Sequence, residues 1–330
     1  MSVREIGSEF WNIPIAGSKN NIFKKDTTWF LSGRSALRAI IKDIKNNYDV
    51  KTVALPAWCC DSIVTPFIKE NLKVKFYPVY FNDEFKQDIC QDCDITFIMD
   101  YFGFQSEYEC NSGIVIRDLT HNVFSNNHND ADYYFGSLRK WCGFPTGGFA
   151  YSKNSFSLNI TNTNQSYIDL RRHAMKEKYD YICGNTDNKH FLSVFNEAEE
   201  LLDTCETETA DVQDIKSALY LDVDFIKSRR RDNAKFLLEA FSDIALFPKL
   251  NDNDCPLFVP IILENRDNLK SYLIDNNIFC PVHWPMQNNY CFDNRTKKLY
   301  QEELSLVCDQ RYDINDMERM VYLIKKWFSK

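Results

Sequence analysis

Short apolar runs recur through the first half of the chain, at 52–55 (TVAL), 74–79 (VKFYPV), 95–101 (ITFIMDY), 113–117 (GIVIR) and 148–151 (GFAY). They are near-continuous rather than alternating, which is the pattern of strands covered on both faces. Between the first two lies 60–70, CDSIVTPFIKE, which predicts a helix. Another helix is predicted over 33–46, with Leu37, Ile40, Ile41 and Ile44 on one face. Strands alternating with helices imply an α/β fold with a mostly parallel sheet. After residue 79 the runs follow one another too closely for a crossover at every step.

The second half reads differently. Residues 155–215 are rich in Asn, Thr, Asp and Glu with weak periodicity, and are expected to form surface loops and helices rather than core. Residues 224–242 predict one long amphipathic helix. Its Arg229, Arg230 and Arg231 are expected on a solvated face paired with nearby acids, an anion site being the alternative. A strand at 256–263, a helix at 266–276, a strand at 278–283 and a final helix at 313–328 predict a smaller α+β C-terminal domain. The expected division is a large domain over 1–235, whose segment 1–25 packs on the small domain, and a small domain over 236–330.

Composition narrows the function classes. At about 150 residues per domain, 330 residues suit two domains. A net charge of −8 argues against nucleic acid or an anionic membrane as partner. No apolar run approaches the roughly 18 residues of a membrane span. The opening MSVREIGSEF, with Glu5 and Glu9, lacks a signal-peptide pattern. A cytoplasmic protein is expected, and its twelve scattered cysteines are expected to be free thiols. Cys90-x-x-Cys93 has no second pair and no nearby histidine, and the histidines at 121, 128, 173, 190 and 283 show no metal spacing, so no metal is expected.

Glycine is scarce, ten in 330, yet six of the ten fall between 103 and 148. Special backbone geometry is concentrated there. The same segment holds the candidate chemistry. The apolar run 113–117 leads into Asp118-Leu119-Thr120-His121, and the C-terminal end of a parallel strand is where α/β folds bind ligands. Ser137-Leu138-Arg139-Lys140 follows, then Trp141-Cys142-Gly143-Phe144-Pro145-Thr146-Gly147-Gly148. A lysine on a glycine-rich loop suits Schiff-base formation with an aldehyde cofactor. An upstream Asp suits a pyridinium nitrogen, keeping the ring an electron sink. A surface ion pair is the alternative reading of Asp118 and Lys140 taken alone.

With these residues the chain resembles the DegT-type sugar aminotransferases, pyridoxal-phosphate enzymes of fold type I. Ile6-Gly7-Ser8-Glu9-Phe10-Trp11 looks like the family's start, and Phe30-Leu31-Ser32-Gly33-Arg34-Ser35-Ala36-Leu37 is similar to its phosphate loop. Leu55-Pro56-Ala57-Trp58, Asp100-Tyr101-Phe102-Gly103, Asp118-Leu119-Thr120-His121 and Ser137-x-x-Lys140 with Gly147-Gly148 follow in the family's order. Pro281-Val282-His283-Trp284-Pro285 and Leu304-Ser305-Leu306 resemble its C-terminal landmarks.

The resemblance implies roles. Lys140 would carry the cofactor and shuttle the proton, Asp118 would bond the pyridine nitrogen, and His121 would lie against the ring. Gly33, Arg34 and Ser35 would hold the phosphate at a helix start, Ser137 would add a hydroxyl, and Trp58 would stack on or edge the ring, or else pack in the core. His283 would face substrate. The implied reaction moves an amino group from an amino acid, glutamate by preference, to a nucleotide-linked keto sugar, in surface polysaccharide or glycoconjugate synthesis, within a homodimer. Other pyridoxal-phosphate chemistry on an amino acid, or a non-catalytic binding role, are the competing readings.

The chain also departs from the family. Arg34 stands where Thr is usual, Phe135 occupies the usual phosphate-serine position, and no Asn-x-Arg loop is recognisable near 196–213. Arg171 and Arg172 are expected as exposed charge, with substrate phosphate as the alternative.

Overall fold

The computed structural model describes residues 4–89, 92–104, 113–125, 130–154, 156, 160, 162–286 and 290–329; Cys90 and His128 lie outside them. The chain forms two compact units. The first comprises Met1–Ser8, Lys51–Ala131 and Asp224–Lys330, the second Glu9–Val50 and Asp132–Val223.

The first unit holds the parallel strands, in the order Ile114–Asp118, Ile95–Met99, Thr52–Pro56, Lys73–Tyr77. Every residue of Ile95–Met99 is buried, as a continuous apolar run requires. The helix Asp61–Lys69 makes the crossover between the last two strands. The run expected to be one strand at 74–79 breaks after Tyr77, because Pro78 has no N–H for the ladder. Val79–Phe81 instead pairs antiparallel with Phe85–Gln87.

The run at 95–101 also stops early, at Met99. Phe102 and Gly103 follow with φ of 57° and 79°. A Cβ on Gly103 would lie 1.9 Å from the Cys255 carbonyl oxygen, so only glycine fits. This close approach lets Leu257 N donate to Phe102 O at 2.7 Å and Cys255 N to Gly103 O at 3.1 Å.

The C-terminal part of this unit pairs Val259–Ile262 antiparallel with Glu303–Leu306 and carries the helices Arg266–Asp275, Asn294–Glu302 and Ile314–Phe328. The strand Glu303–Leu306 and the helix before it had no clear apolar signature. The N-terminal Ile6–Gly7 lies parallel to Ile278–Phe279, so the strand expected over 278–283 is two residues long.

The second unit has an antiparallel sheet, Thr28–Phe30, Gly148–Ser152, Tyr133–Ser137. Gly148–Ser152 is not a parallel strand, since the short loop from Ser137 permits a hairpin but no crossover. The helix Gly33–Asn47 buries the expected apolar face.

Residues 155–215 correct the sequence reading. They form Gln165–Ile182, Phe191–Asp203 and Val212–Leu219, and these helices carry core. Leu31, Tyr167, Ile168, Ala198, Leu202 and Cys205 pack as one apolar cluster, and Ala174, Met175, Phe191, Val194 and Phe195 as another. Phe191, Val194, Phe195, Ala198 and Leu202 do recur at helical spacing, but the polar composition of the whole segment obscures it, and Gln165–Ile182 carries little periodicity of its own. Among the described residues no helix is long and apolar enough to cross a membrane.

The arginines of helix Val223–Phe241 are a second correction, because they do not form a solvated face paired with acids. Arg230 is fully buried, donating from Nε to Gln310 Oε1 at 2.7 Å and from Nη1 to the Leu257 and Pro256 carbonyls at 3.0 and 3.1 Å. Arg231 donates to the Asn251 and Asp254 carbonyls. Arg230→Ala therefore strands buried acceptors and is expected to cost roughly 2–4 kcal/mol in urea unfolding. Arg229→Ala, whose guanidinium lies 5.9 Å from the Phe225 ring centroid, is expected within about 0.5 kcal/mol of the parent.

Candidate active site

In the second unit the helix Gly33–Asn47 begins at Ser32, whose extended backbone ends the preceding strand segment. Ser32 Oγ accepts from Ser35 N at 3.1 Å, and Ser32 O accepts from Ala36 N at 3.0 Å. That leaves the Gly33 and Arg34 amides as first-turn donors, at the positive end of a fifteen-residue helix with no acid in its first turn.

Two glycines bring the sheet against this helix start. A Cβ on Gly148 would lie 2.0 Å from Ser32 O, and one on Gly33 would lie 3.2 Å from the Ser137 Cβ. Ser137 thus stands beside the helix N-terminus. It ends its strand, and Leu138–Lys140 make a single 3₁₀ turn. Leu138 is buried and its N–H bonds Gly147 O at 2.9 Å, while the Lys140 side chain is exposed. Ser32, Gly33, Arg34, Ser35 and Ser137 form a polar cradle at the helix start, with Lys140 one turn on. The Arg34 guanidinium is engaged by Asp203 and lies 3.9 Å from Glu199.

In the first unit, Asp118 is the buried last residue of its strand. Its Oδ1 accepts from Thr120 N at 2.8 Å, which turns the chain sharply toward His121. The turn is braced from the neighbouring strand end, where Asp100 accepts from Arg117 Nε at 3.0 Å, Arg117 Nη2 at 2.9 Å and Asn122 Nδ2 at 2.8 Å. Burial alone would lower the Arg117 pKa, but Asp100 and Asp130 together raise it.

His121 is buried and stacks on Trp284, with centroids 5.7 Å apart and planes 19° from parallel. Trp58 stacks on Tyr101 at 5.1 Å and 7°, and its backbone oxygen accepts from the Tyr101 hydroxyl at 2.5 Å. Trp284 lies edge-on to Trp58 at 5.6 Å. The Trp58 indole N–H is buried with no acceptor among the described residues. Beside it, burial first, then Cys60, Asp61 and Asp118, push the Cys59 thiol well above its ordinary value. Trp58, His121 and His283 are therefore gathered in one aromatic cluster close to Asp118.

His283 joins that cluster to a buried acid. Its ring lies 5.5 Å from His121 and 5.3 Å from Trp284. Its Nδ1 is 2.8 Å from Ser305 Oγ, which is 2.5 Å from Glu303 Oε1, while Glu303 Oε2 accepts from His283 N at 2.7 Å. Glu303 is fully buried, and burial pushes its carboxyl up to about 8 against the pull of Ser305, His283 N–H, Arg266 and Lys270. In the tautomer whose Nδ1 accepts, a protonated Glu303 donates to Ser305 Oγ and Ser305 donates to His283 Nδ1; in the other, Nδ1–H donates to Ser305 Oγ and Ser305 donates to Glu303.

Arg171 corrects a further expectation. It is not exposed charge: it is buried, bonded to Glu199 at 3.2 Å and to Glu9 at 3.5 Å. Arg172 bonds Asp211 at 2.6 Å. Glu199, Trp284 and Glu303 were missed as site neighbours. Trp284 lay inside a quoted motif, whereas nothing along the chain marked Glu199 or Glu303.

No family model matches the chain, and no curated protein sequence does. Solved structures do match. A DegT DnrJ EryC1 StrS aminotransferase from Brucella abortus is 14 % identical over 92 % of this chain and 86 % of its own, with a TM-score of 0.63. Helicobacter pylori PseC, an aminotransferase involved in the biosynthesis of pseudoaminic acid, is 16 % identical over 95 % and 88 %, with a TM-score of 0.65. AtS13 from Actinomadura melliaura is 10 % identical over 99 % and 100 %, with a TM-score of 0.63. At these identities the likeness is one of fold, and the expected α/β aminotransferase fold is borne out.

The raised Glu303 carboxyl sets a pH dependence. The fold holds a proton that the unfolded chain releases near 4.5. Its contribution to stability is present in full below that value and is lost as pH rises to about 8. The melting temperature of the parent should fall across this window relative to Glu303→Gln, which cannot ionise. Parallel melting curves for the two proteins between pH 5 and 9 would mean that Glu303 is ionised in the fold.

Proposed function

We propose that the chain is a pyridoxal-5′-phosphate-dependent aminotransferase. The observation that carries the reading is the oxyanion cradle at Ser32–Ser35, completed by Ser137 and followed one turn later by an exposed lysine. The shared fold with sugar aminotransferases supports it.

The residues present fit the group. The Gly33 and Arg34 amides, Ser35 and Ser137 would hold its phosphate, with the helix dipole as an additional attraction. Lys140 would bind its aldehyde carbon and afterwards move the proton between the substrate's Cα and the cofactor. Asp118, buried and steadied by the Thr120 amide, would face the pyridine nitrogen as an anion, and His121 would lie against the ring. The buried Trp58 indole N–H is a donor for the same aromatic environment. When bound, the cofactor supplies the electron sink that lets an amino group leave one carbon and join another.

We infer an amino-acid donor, glutamate by preference, and a keto-sugar acceptor, nucleotide-linked, within surface polysaccharide or glycoconjugate synthesis. His283, held by Ser305, would face the sugar. The reading includes a cytoplasmic homodimer, a cofactor-binding domain over 1–235 and a small domain over 236–330.

Borohydride treatment of the purified protein with pyridoxal phosphate should fix the cofactor on the peptide containing Lys140, with loss of the visible absorption band. Lys140→Ala should show neither the band nor the adduct. Glutamate should bleach the band in the parent, and 2-oxoglutarate should restore it. A parent with no band and no adduct would sink the cofactor assignment and favour a binding role. A band that glutamate and other amino donors leave unchanged would keep the cofactor and remove the transamination.

A further inference from the structure

Lys140 has an unusual neighbour. Arg139, one residue earlier, pairs with Glu199 Oε1. Arg171 Nη1 lies 3.2 Å from the same oxygen, and Arg34 Nη2 lies 3.9 Å from the other. One carboxylate thus serves three guanidiniums. Asp203 takes the remaining end of Arg34, and Glu9 stands 3.5 Å from Arg171. The Nε atoms of Arg139 and Arg171 are both buried with no acceptor among the described residues. Arg171 is 4 % exposed, and burial, then the Arg139 charge, pull its guanidinium below the ordinary value. Burial would raise Glu199, but Arg139, Arg171 and Lys140 hold it below the usual carboxylate range.

Such a group is a poor device for stability. Each buried charge is costly before it is paired, and each unmet N–H adds to that cost. It is a good device for recognition, because planar guanidiniums bind carboxylate or phosphate with two bonds apiece. The exposures separate fixed parts from movable ones. The Glu199 side chain is 42 % exposed, against 5 % for Arg171 and 14 % for Arg139.

We propose that Arg139 and Arg171 form an oxyanion-binding site next to Lys140, which Glu199 occupies until the carboxylate or phosphate of a substrate displaces it. Glu199 acts as a built-in competitor. It keeps the paired arginines preorganised and raises the threshold for a weak anion. The proposal goes beyond the cofactor assignment and does not depend on it, because the ligand is read by binding rather than by turnover.

The test is calorimetric titration of the purified full-length protein with glutarate, a dicarboxylate without a reactive amine, and separately with inorganic phosphate. Glu199→Gln removes the competing charge and should tighten binding of the preferred anion about tenfold. Arg171→Met should weaken it at least tenfold, with or without Glu199→Gln, and Arg139→Met serves the same purpose where Arg171→Met does not fold. Preference for glutarate would identify the ligand group as a carboxylate, and preference for phosphate as a phosphoryl group. Affinities within twofold of the parent in Glu199→Gln, or binding that survives both arginine variants, would overturn the proposal. A Glu199→Gln protein that melts earlier and binds neither anion more tightly would mark the cluster as structural only. Loss of the Lys140 adduct with this anion binding intact would reject the cofactor and keep the site.

Discussion

The contact between Gly148 and Ser32 is the constraint on which the second unit turns. A backbone-to-backbone approach at this distance leaves no room for any side chain at position 148. It presses the middle strand of the sheet onto the start of helix Gly33–Asn47. Gly33 then sits against Ser137, where an added Cβ would make a tight but less severe contact at 3.2 Å. Ser137 is consequently placed by backbone geometry, with its Cβ beside the start of the helix. The buried Leu138 pins the next turn, so that Lys140 emerges one turn from the cradle. An ordinary helix start, a strand end and two missing side chains together bring first-turn amides, a serine and a lysine to one place, the arrangement on which the proposed cofactor site rests.

The first unit solves a different problem, that of holding a buried carboxylate in a fixed direction. Asp118 lies at a strand end, where the chain must turn. The turn is clamped by Arg117 and Asn122 onto Asp100, one strand over. Buried ion pairs add little net stability, but they resist rearrangement, which holds the Asp118 turn in one geometry. The same turn delivers His121 into the aromatic cluster of Trp58, Tyr101, Phe102 and Trp284. His283 is anchored from behind by Ser305 and the buried Glu303. Rigid apolar packing around a few directed polar atoms is the usual composition of a small-molecule site.

Glu199 and Glu303 show two uses of a carboxylate in this chain. Arginines surround the first and keep it charged. Burial without an adequate counter-charge pushes the second up to about 8. Both are set by what the fold brings against them, and the residue type is the same.

Much of this was legible along the chain where the partners are close in sequence. Ser32 and Ser35, Asp118 and Thr120, and Ser137 and Lys140 lie within three residues of each other, and local rules for helix starts and strand ends suffice. The parallel strands were legible because their burial on both faces leaves unbroken apolar runs. Gly148–Ser152 carried the same run, and only its pairing revealed that it is antiparallel. The core role of 155–215 was obscured by its polar composition: Phe191–Asp203 carries its buried residues at plain helical spacing, whereas Gln165–Ile182 has one narrow buried face among many polar residues. The partners of the buried arginines were out of reach altogether. Arg139 meets Glu199 across 60 residues and Arg230 meets Gln310 across 80. By itself, then, the sequence determined the elements and the chemistry held within single turns. Only the tertiary structure decided which charge meets which, because an ion's protonation and pairing depend on its surroundings, and those surroundings are assembled from distant segments.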